Sequence, residues 1–187
     1  MSEILVDAFL APFSSRLPRA LSASAPTVTE ADVLAVQAKW AGAIVKISEV
    51  HRAGGDYVAT AAEAAGELYA YGHEDVLFKP TKARDVRFRP TAEQAMSYFV
   101  GASAVKDGIA EDGGFAINGG KGWSACSYTN HRITVKADVA IAMGTYDFTC
   151  ATTGDVATVE YTLGYQRCAD GVVRIFLHHS SVPYAPH

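Results

Sequence analysis

Apolar residues at Val33, Val36, Trp40, Ile44 and Ile47 recur in steps of three and four, the period that lays one stripe along a helix. Two capping boxes are available to open it, Thr27 with Glu30 or Thr29 with Asp32, and Gly54-Gly55 closes it. Asp56 then caps a second, alanine-rich helix through Leu68 and Tyr71, stopped at Gly72.

From Asp75 the helical period is lost. Val76-Leu77-Phe78 and Val86-Arg87-Phe88-Arg89 read as short extended pieces followed by Pro80 and Pro90. Proline has no N–H for a ladder, so the region is expected to be irregular and edge-like. Thr91 with Gln94 caps a short helix through Met96, Tyr98 and Phe99 that closes at Gly101, and residues 107–122 form a glycine-rich, acidic loop. Residues 123–135, 139–150 and 156–167 then read as long strands. In the third, Val159, Tyr161, Leu163 and Tyr165 alternate with Thr158, Glu160, Thr162 and Gly164, which sets one face on a core. Hairpin turns fall at Thr153-Gly154-Asp155 and Ala169-Asp170-Gly171.

The last apolar run, residues 172–177, followed by His178, His179, Ser180 and Ser181, predicts a central strand ended by Pro183. Strict alternation puts Ile175, Leu177, His179 and Ser181 on one face and Phe176, His178 and Ser180 on the other. Helices first and an antiparallel meander afterwards predict an α+β fold, its N-terminal helices packed on a curved antiparallel sheet with a pocket at the mouth.

A length of 187 residues suits one such domain over residues 28–187, with residues 1–27 as an N-terminal arm or linker that shows no sustained period. Within the arm, Glu3 and Asp7 spoil a secretory signal, whereas the acid-free residues 14–25, with Arg16 and Arg19, resemble a trimmed transit peptide. A net charge of −4 gives no footprint for nucleic acid or an anionic membrane. No apolar run reaches the roughly twenty residues of a membrane helix, so a soluble protein is expected. Cys126, Cys150 and Cys168 are odd in number and widely spaced, which predicts free thiols rather than disulfides or a zinc knuckle.

No phosphate-binding, nucleophile-elbow, zinc-protease or calcium-loop motif is present. The candidate chemistry is instead a set of hydroxyls and an imidazole at the edges of apolar segments: Thr81, Tyr98, His179 and Ser181. Deprived of water, such groups must find partners, so a hollow lined by them suits water or a small oxyanion. Taken singly, Thr81 is more often a local backbone hydrogen-bonder, and Tyr98 serves equally well as a core residue with a satisfied hydroxyl. Adjacent His178 and His179 point to opposite faces and cannot grip one metal together; a metal would need His73, His131 or a carboxylate as well.

The segments Val76-Leu77-Phe78-Lys79-Pro80-Thr81, Ser97-Tyr98-Phe99-Val100-Gly101, Val159-Glu160-Tyr161-Thr162-Leu163-Gly164-Tyr165 and above all Ile175-Phe176-Leu177-His178-His179-Ser180-Ser181 resemble the iota class of carbonic anhydrases. That class is related to the association domain of calcium/calmodulin-dependent kinase II. The resemblance covers roughly residues 29–185 and implies a cystatin-like, nuclear-transport-factor-two-like cone that reversibly hydrates carbon dioxide to bicarbonate, as a carbonate dehydratase (a lyase). It carries catalytic roles to Thr81, Tyr98 and Ser181 with His179 beside them, and substrate contacts to Thr81, Tyr98, Ser181, Phe99, Ile175 and Leu177. Some members of the class are metal-free and others use manganese or zinc; the histidines here favour a metal-free site with no cofactor. The resemblance further implies a homodimer, in a chloroplast if algal and otherwise in the cytoplasm. The rival readings are a non-catalytic oligomerisation domain, a metal-dependent hydratase, and a pocket enzyme for larger organic substrates, which would want an ionisable carboxyl in its cavity.

Overall fold

The structure, a computed structural model, describes residues 27–186; all of the expected arm but Thr27 lies outside the described residues. Helix α1 (Glu30–Arg52) opens on the second of the two available boxes. The Thr29 hydroxyl accepts from the Asp32 N–H at 3.1 Å while Asp32 accepts from the Thr29 N–H at 2.8 Å. Helix α2 (Tyr57–Leu68) is capped by Asp56, which accepts from the Ala59 N–H at 2.9 Å. It stops three residues short of Tyr71. Tyr69 turns extended and bridges in parallel to Ile175, and the Ala70 N–H donates to the Ile175 carbonyl at 3.0 Å. A sheet edge within reach thus overrides the local helical pattern.

Strand β1 (Leu77–Lys79) and helix α3 (Ala92–Val100) follow, then two 3₁₀ turns (Ala102–Ala104 and Phe115–Gly120) and the long strands β2 (Trp123–Lys136), β3 (Val139–Cys150), β4 (Val156–Arg167) and β5 (Val173–Ser181). The sheet order is β1-β5-β4-β3-β2. Strands β2 to β5 form the expected antiparallel meander, and β5 is interior because β1 pairs with it in parallel along Leu77–Leu177 to Lys79–His179. Residues 86–89 form no strand. The Arg89 N–H donates to the Phe78 carbonyl, and the Arg89 side chain turns inward to a fully buried pair with Asp112 at 2.8 Å.

Helix α1 covers one face of the sheet, with Trp40 stacked on Tyr146 of β3 at 5.6 Å and 5°. The Ser48 hydroxyl donates to the Ala116 carbonyl and accepts from the Trp123 N–H, holding the Phe115–Gly120 turn against α1. The opposite face is open, and Ile141 and Met143 stand out of it at 42% and 54% exposure. No helix among the described residues is long and apolar enough to cross a membrane.

Three register shifts shape the sheet, one of them at the start of β2, where Ser124 is extra between Trp123–Cys150 and Ala125–Thr149. On β2 the pairing passes from Asn130–Gly144 to Arg132–Met143, leaving His131 as an extra residue, and on β5 it passes from Tyr165–Ile175 to Gly164–Leu177, leaving Phe176 extra. The bulges at His131 and Phe176 each face a glycine. A Cβ on Gly144 would sit 2.1 Å from the Thr129 carbonyl oxygen, and one on Gly164 would sit 2.8 Å from Leu177 Cβ and from the Phe176 ring. An inserted residue reverses the alternation beyond it. This overturns the expected facing of β5: Ile175, His178 and Ser180 face the core, while Leu177, His179 and Ser181 face away from it.

Candidate active site

The inward end of β5 delivers His178 and Ser180, 2% and 3% exposed, beneath α1 and α3. The turn after β1 delivers Thr81, and Pro80 places it there by ending the strand. Helix α3, capped by Thr91, delivers Tyr98 and Phe99, both buried. The Thr81 hydroxyl donates to Ser180 Oγ at 2.8 Å. The Tyr98 oxygen accepts from the Lys82 N–H at 3.5 Å.

Beneath these hydroxyls lies a ring of aromatics. Phe78 stacks on His178 at 4.9 Å and on Phe99 at 5.7 Å, and Tyr98 stacks on Phe115 at 5.5 Å. His178 is wedged between two phenols, with the Tyr69 hydroxyl 2.7 Å from its Nδ1 and the Tyr146 hydroxyl 3.2 Å from its Nε2. Trp40 Nε1 donates to the Tyr69 oxygen at 3.0 Å.

Burial sets the protonation of every member. It pushes the His178 pKa down to about 3, assisted by the neighbouring His179, so the imidazole is neutral. Burial likewise pushes the Tyr98, Tyr69 and Tyr146 phenols up, against the opposing hydrogen bonds, so all three keep their protons. The cluster is a dry, uncharged group of donors and acceptors with no ionised base in it.

Tyr98 opens on an outer groove of about 390 Å³, lined also by Lys82, Glu111, Asp112, Phe115 and Lys121. Glu111 accepts from the N–H groups of Val86, Asp85 and Arg84, and those bonds hold its carboxyl below the usual range. Asp112 is held by Arg89 and by the Ser97 hydroxyl at 2.7 Å.

The four predicted catalytic positions therefore do not share one hollow. Thr81 and Tyr98 come together, with Phe99 beneath them. His179 and Ser181 instead line a separate hollow of about 470 Å³ on the open face of the sheet, with His131, Met143 and Glu160, and the Ser181 hydroxyl donates to Glu160 at 3.3 Å. Leu177 also faces outward, beside Leu77 and Phe88, and Ile175 lies in the core at 1% exposure. The members that sequence reasoning missed are Ser180, His178, Tyr146, Tyr69 and Trp40. The available signal was Gly164, an isolated glycine inside a strand pattern, which marks a bulge or a close backbone approach.

Among the described residues one group of metal-capable donors lies close together, His73, Cys168 and Asp170, within 4.8 Å of one another. It sits at the β4–β5 turn, about 20 Å from Ser180 along a strand that rises roughly 3.3 Å per residue, and Arg174 already pairs Asp170 at 2.8 Å. In the hydroxyl cluster both His178 nitrogens are engaged by phenols, leaving neutral hydroxyls as the remaining donors.

A family model described as metal-independent carbonic anhydrase matches residues 31–182. A metal-independent carbonic anhydrase of Nostoc sp. strain PCC 7120 is 36% identical over 160 residues, covering 84% of this chain and 75% of that protein. The crystal structure of a cyanobacterial iota-carbonic anhydrase complexed with bicarbonate superposes with a TM-score of 0.78 at 34% identity, covering 86% of this chain and 95% of that one. An NTF2-like protein from Cytophaga hutchinsonii, 14% identical with a TM-score of 0.52, covers 83% of this chain and all of its own, and shares the fold alone. A family match over most of the chain, on a sheet that gathers neutral hydroxyls around a buried imidazole, makes this protein a member of the metal-independent carbonic anhydrase family.

Proposed function

We propose that this protein hydrates carbon dioxide reversibly to bicarbonate and a proton, as a carbonate dehydratase, with Ser180, Thr81 and Tyr98 orienting the reactants and no metal taking part. The observation that carries the reading is the Thr81–Ser180 hydrogen bond in a buried, aromatic-walled cluster beside Tyr98. The family relationship supplies the reaction class.

Carbon dioxide is apolar and suits the rings of Phe78 and Phe99. A water entering past Tyr98 donates one hydrogen bond to the phenolic oxygen, which aims a lone pair at the carbon. As that pair forms the C–O bond, one C=O π pair moves onto its oxygen, where the Ser180 O–H stabilises the growing charge. The other proton of the attacking water leaves into the solvated groove beside Glu111. None of the neutral hydroxyls is a strong base at physiological pH, so catalysis here is positioning and charge stabilisation rather than deep acid–base chemistry. In this reading the catalytic serine is Ser180, and His178 replaces His179 as the imidazole of the site.

Homodimer formation belongs to the same reading. The open sheet face, with Ile141 and Met143 exposed, is the surface a second copy would cover. Sedimentation tests this part, with twice the chain mass expected.

Stopped-flow hydration of carbon dioxide by chelator-treated protein tests the central claim. Catalysis above buffer is expected from the wild type, with a loss of at least about a hundredfold in Tyr98→Phe. An inactive, folded wild type would overturn the reading in favour of a non-catalytic domain.

A further inference from the structure

We propose that Trp40 and Tyr69 are positioning residues that set the tautomer of His178, fixing its ring hydrogen on Nε2 toward Tyr146 in the hydroxyl cluster. The inference rests on the hydration reading above and goes beyond it, because neither residue touches the Thr81–Tyr98–Ser180 group.

It follows from counting protons along a buried chain. An indole N–H only donates, so Trp40 Nε1, 3.0 Å from the Tyr69 oxygen, makes that oxygen an acceptor. The Tyr69 proton then needs an acceptor of its own, and the atom at 2.7 Å is His178 Nδ1. Nδ1 is therefore unprotonated, and the neutral ring carries its hydrogen on Nε2. Nε2–H donates to the Tyr146 oxygen at 3.2 Å.

The opposite tautomer fails the same count. With hydrogen on Nδ1, both the imidazole and Trp40 would donate to the Tyr69 oxygen, and the Tyr69 proton would be left without an acceptor in a site 2% exposed. A buried unsatisfied donor costs about 1–3 kcal/mol, so the ordered chain dominates.

Ser180 lies in the same cluster as His178 and accepts from Thr81 at 2.8 Å, so its own hydrogen is the one to be aimed at charge developing on a substrate oxygen.

Nitrogen-15 NMR of the histidine rings, with the His178 signals assigned by their loss in His178→Gln, reads the tautomer directly and without reference to activity. The wild type is expected to show a pyridine-type Nδ1 and a protonated Nε2, unchanged across neutral pH. In Tyr69→Phe the Nδ1 donor is gone, and the ring is expected to lose its single tautomer while kcat for hydration falls by about tenfold or more. Trp40→Phe removes the indole donor while leaving an aromatic ring against Tyr146, and the same mixing of tautomers is expected there. A wild-type ring protonated on Nδ1 overturns the proposal, as does a folded Tyr69→Phe with mixed tautomers and an undiminished kcat. Because the tautomer is read in the resting protein, a failure of the hydration reading would leave the NMR result standing and would be recognised by an inactive wild type.

Discussion

Ser180 and Ser181 differ by one peptide unit and face opposite sides of the sheet: one accepts from Thr81 in the core, the other donates to Glu160 on the open face. His178 and His179 divide in the same way. A folded-state pKa near 3 for His178, against an ordinary 6.5, makes a prediction at this scale. Between those values the unfolded chain binds a proton that the folded chain refuses, so stability rises with pH across the window and is lost as pH falls through it. His178 alone is expected to contribute roughly 2 kcal/mol of that loss between pH 6.5 and about pH 5. Urea denaturation at the two pH values checks it, and His178→Gln is expected to flatten this part of the slope. Thr81 and Tyr98 were legible in the sequence because local signals place them, a strand-ending proline for one and a capped helix for the other. His178 and Ser180 were not, because alternation counts residues and one extra residue at Phe176 inverts every facing after it.

At the level of elements, the bulge is a device with a matching part. Gly164 lacks the Cβ that would strike Leu177 and the Phe176 ring at 2.8 Å, so Gly164→Ala must shift β5. It is expected to cost about 1–3 kcal/mol by overpacking and to lower hydration activity as well, since His178 and Ser180 ride on the displaced strand. A lowered denaturation midpoint together with a reduced rate is the expected pair of readings. Helix α3 has its own anchor: Asp112 holds Ser97 on the helix and Arg89 in the preceding loop, all buried. Asp112→Ala leaves the buried Arg89 guanidinium with only Glu111, 3.8 Å away, as a carboxylate partner and is expected to cost about 3–5 kcal/mol in urea denaturation. The three helices were legible because Thr29, Asp56 and Thr91 cap them. The parallel pairing of β1, and the scrap of extended chain at Tyr69 and Ala70, were not. Segments this short take their structure from the sheet edge they meet rather than from their own pattern.

Across the whole molecule, the hydroxyl cluster and the metal-capable group lie at opposite ends of β5. Any zinc taken up at His73, Cys168 and Asp170 is expected to leave the hydration rate unchanged, which titration with zinc during the assay checks. The α+β class was legible from the order of helices and strands, and the family from short segments at β1, α3, β4 and β5. The curvature that brings those segments together was not, because it depends on the bulges at His131 and Phe176.

The most direct measurement is a side-by-side comparison of Ser180→Ala and Ser181→Ala, both chelator-treated and both checked for folding, in stopped-flow carbon dioxide hydration. Ser180→Ala is predicted to lose at least about a hundredfold in kcat/KM while Ser181→Ala keeps the wild-type rate. Full activity in Ser180→Ala, or its loss in Ser181→Ala alone, would contradict the account.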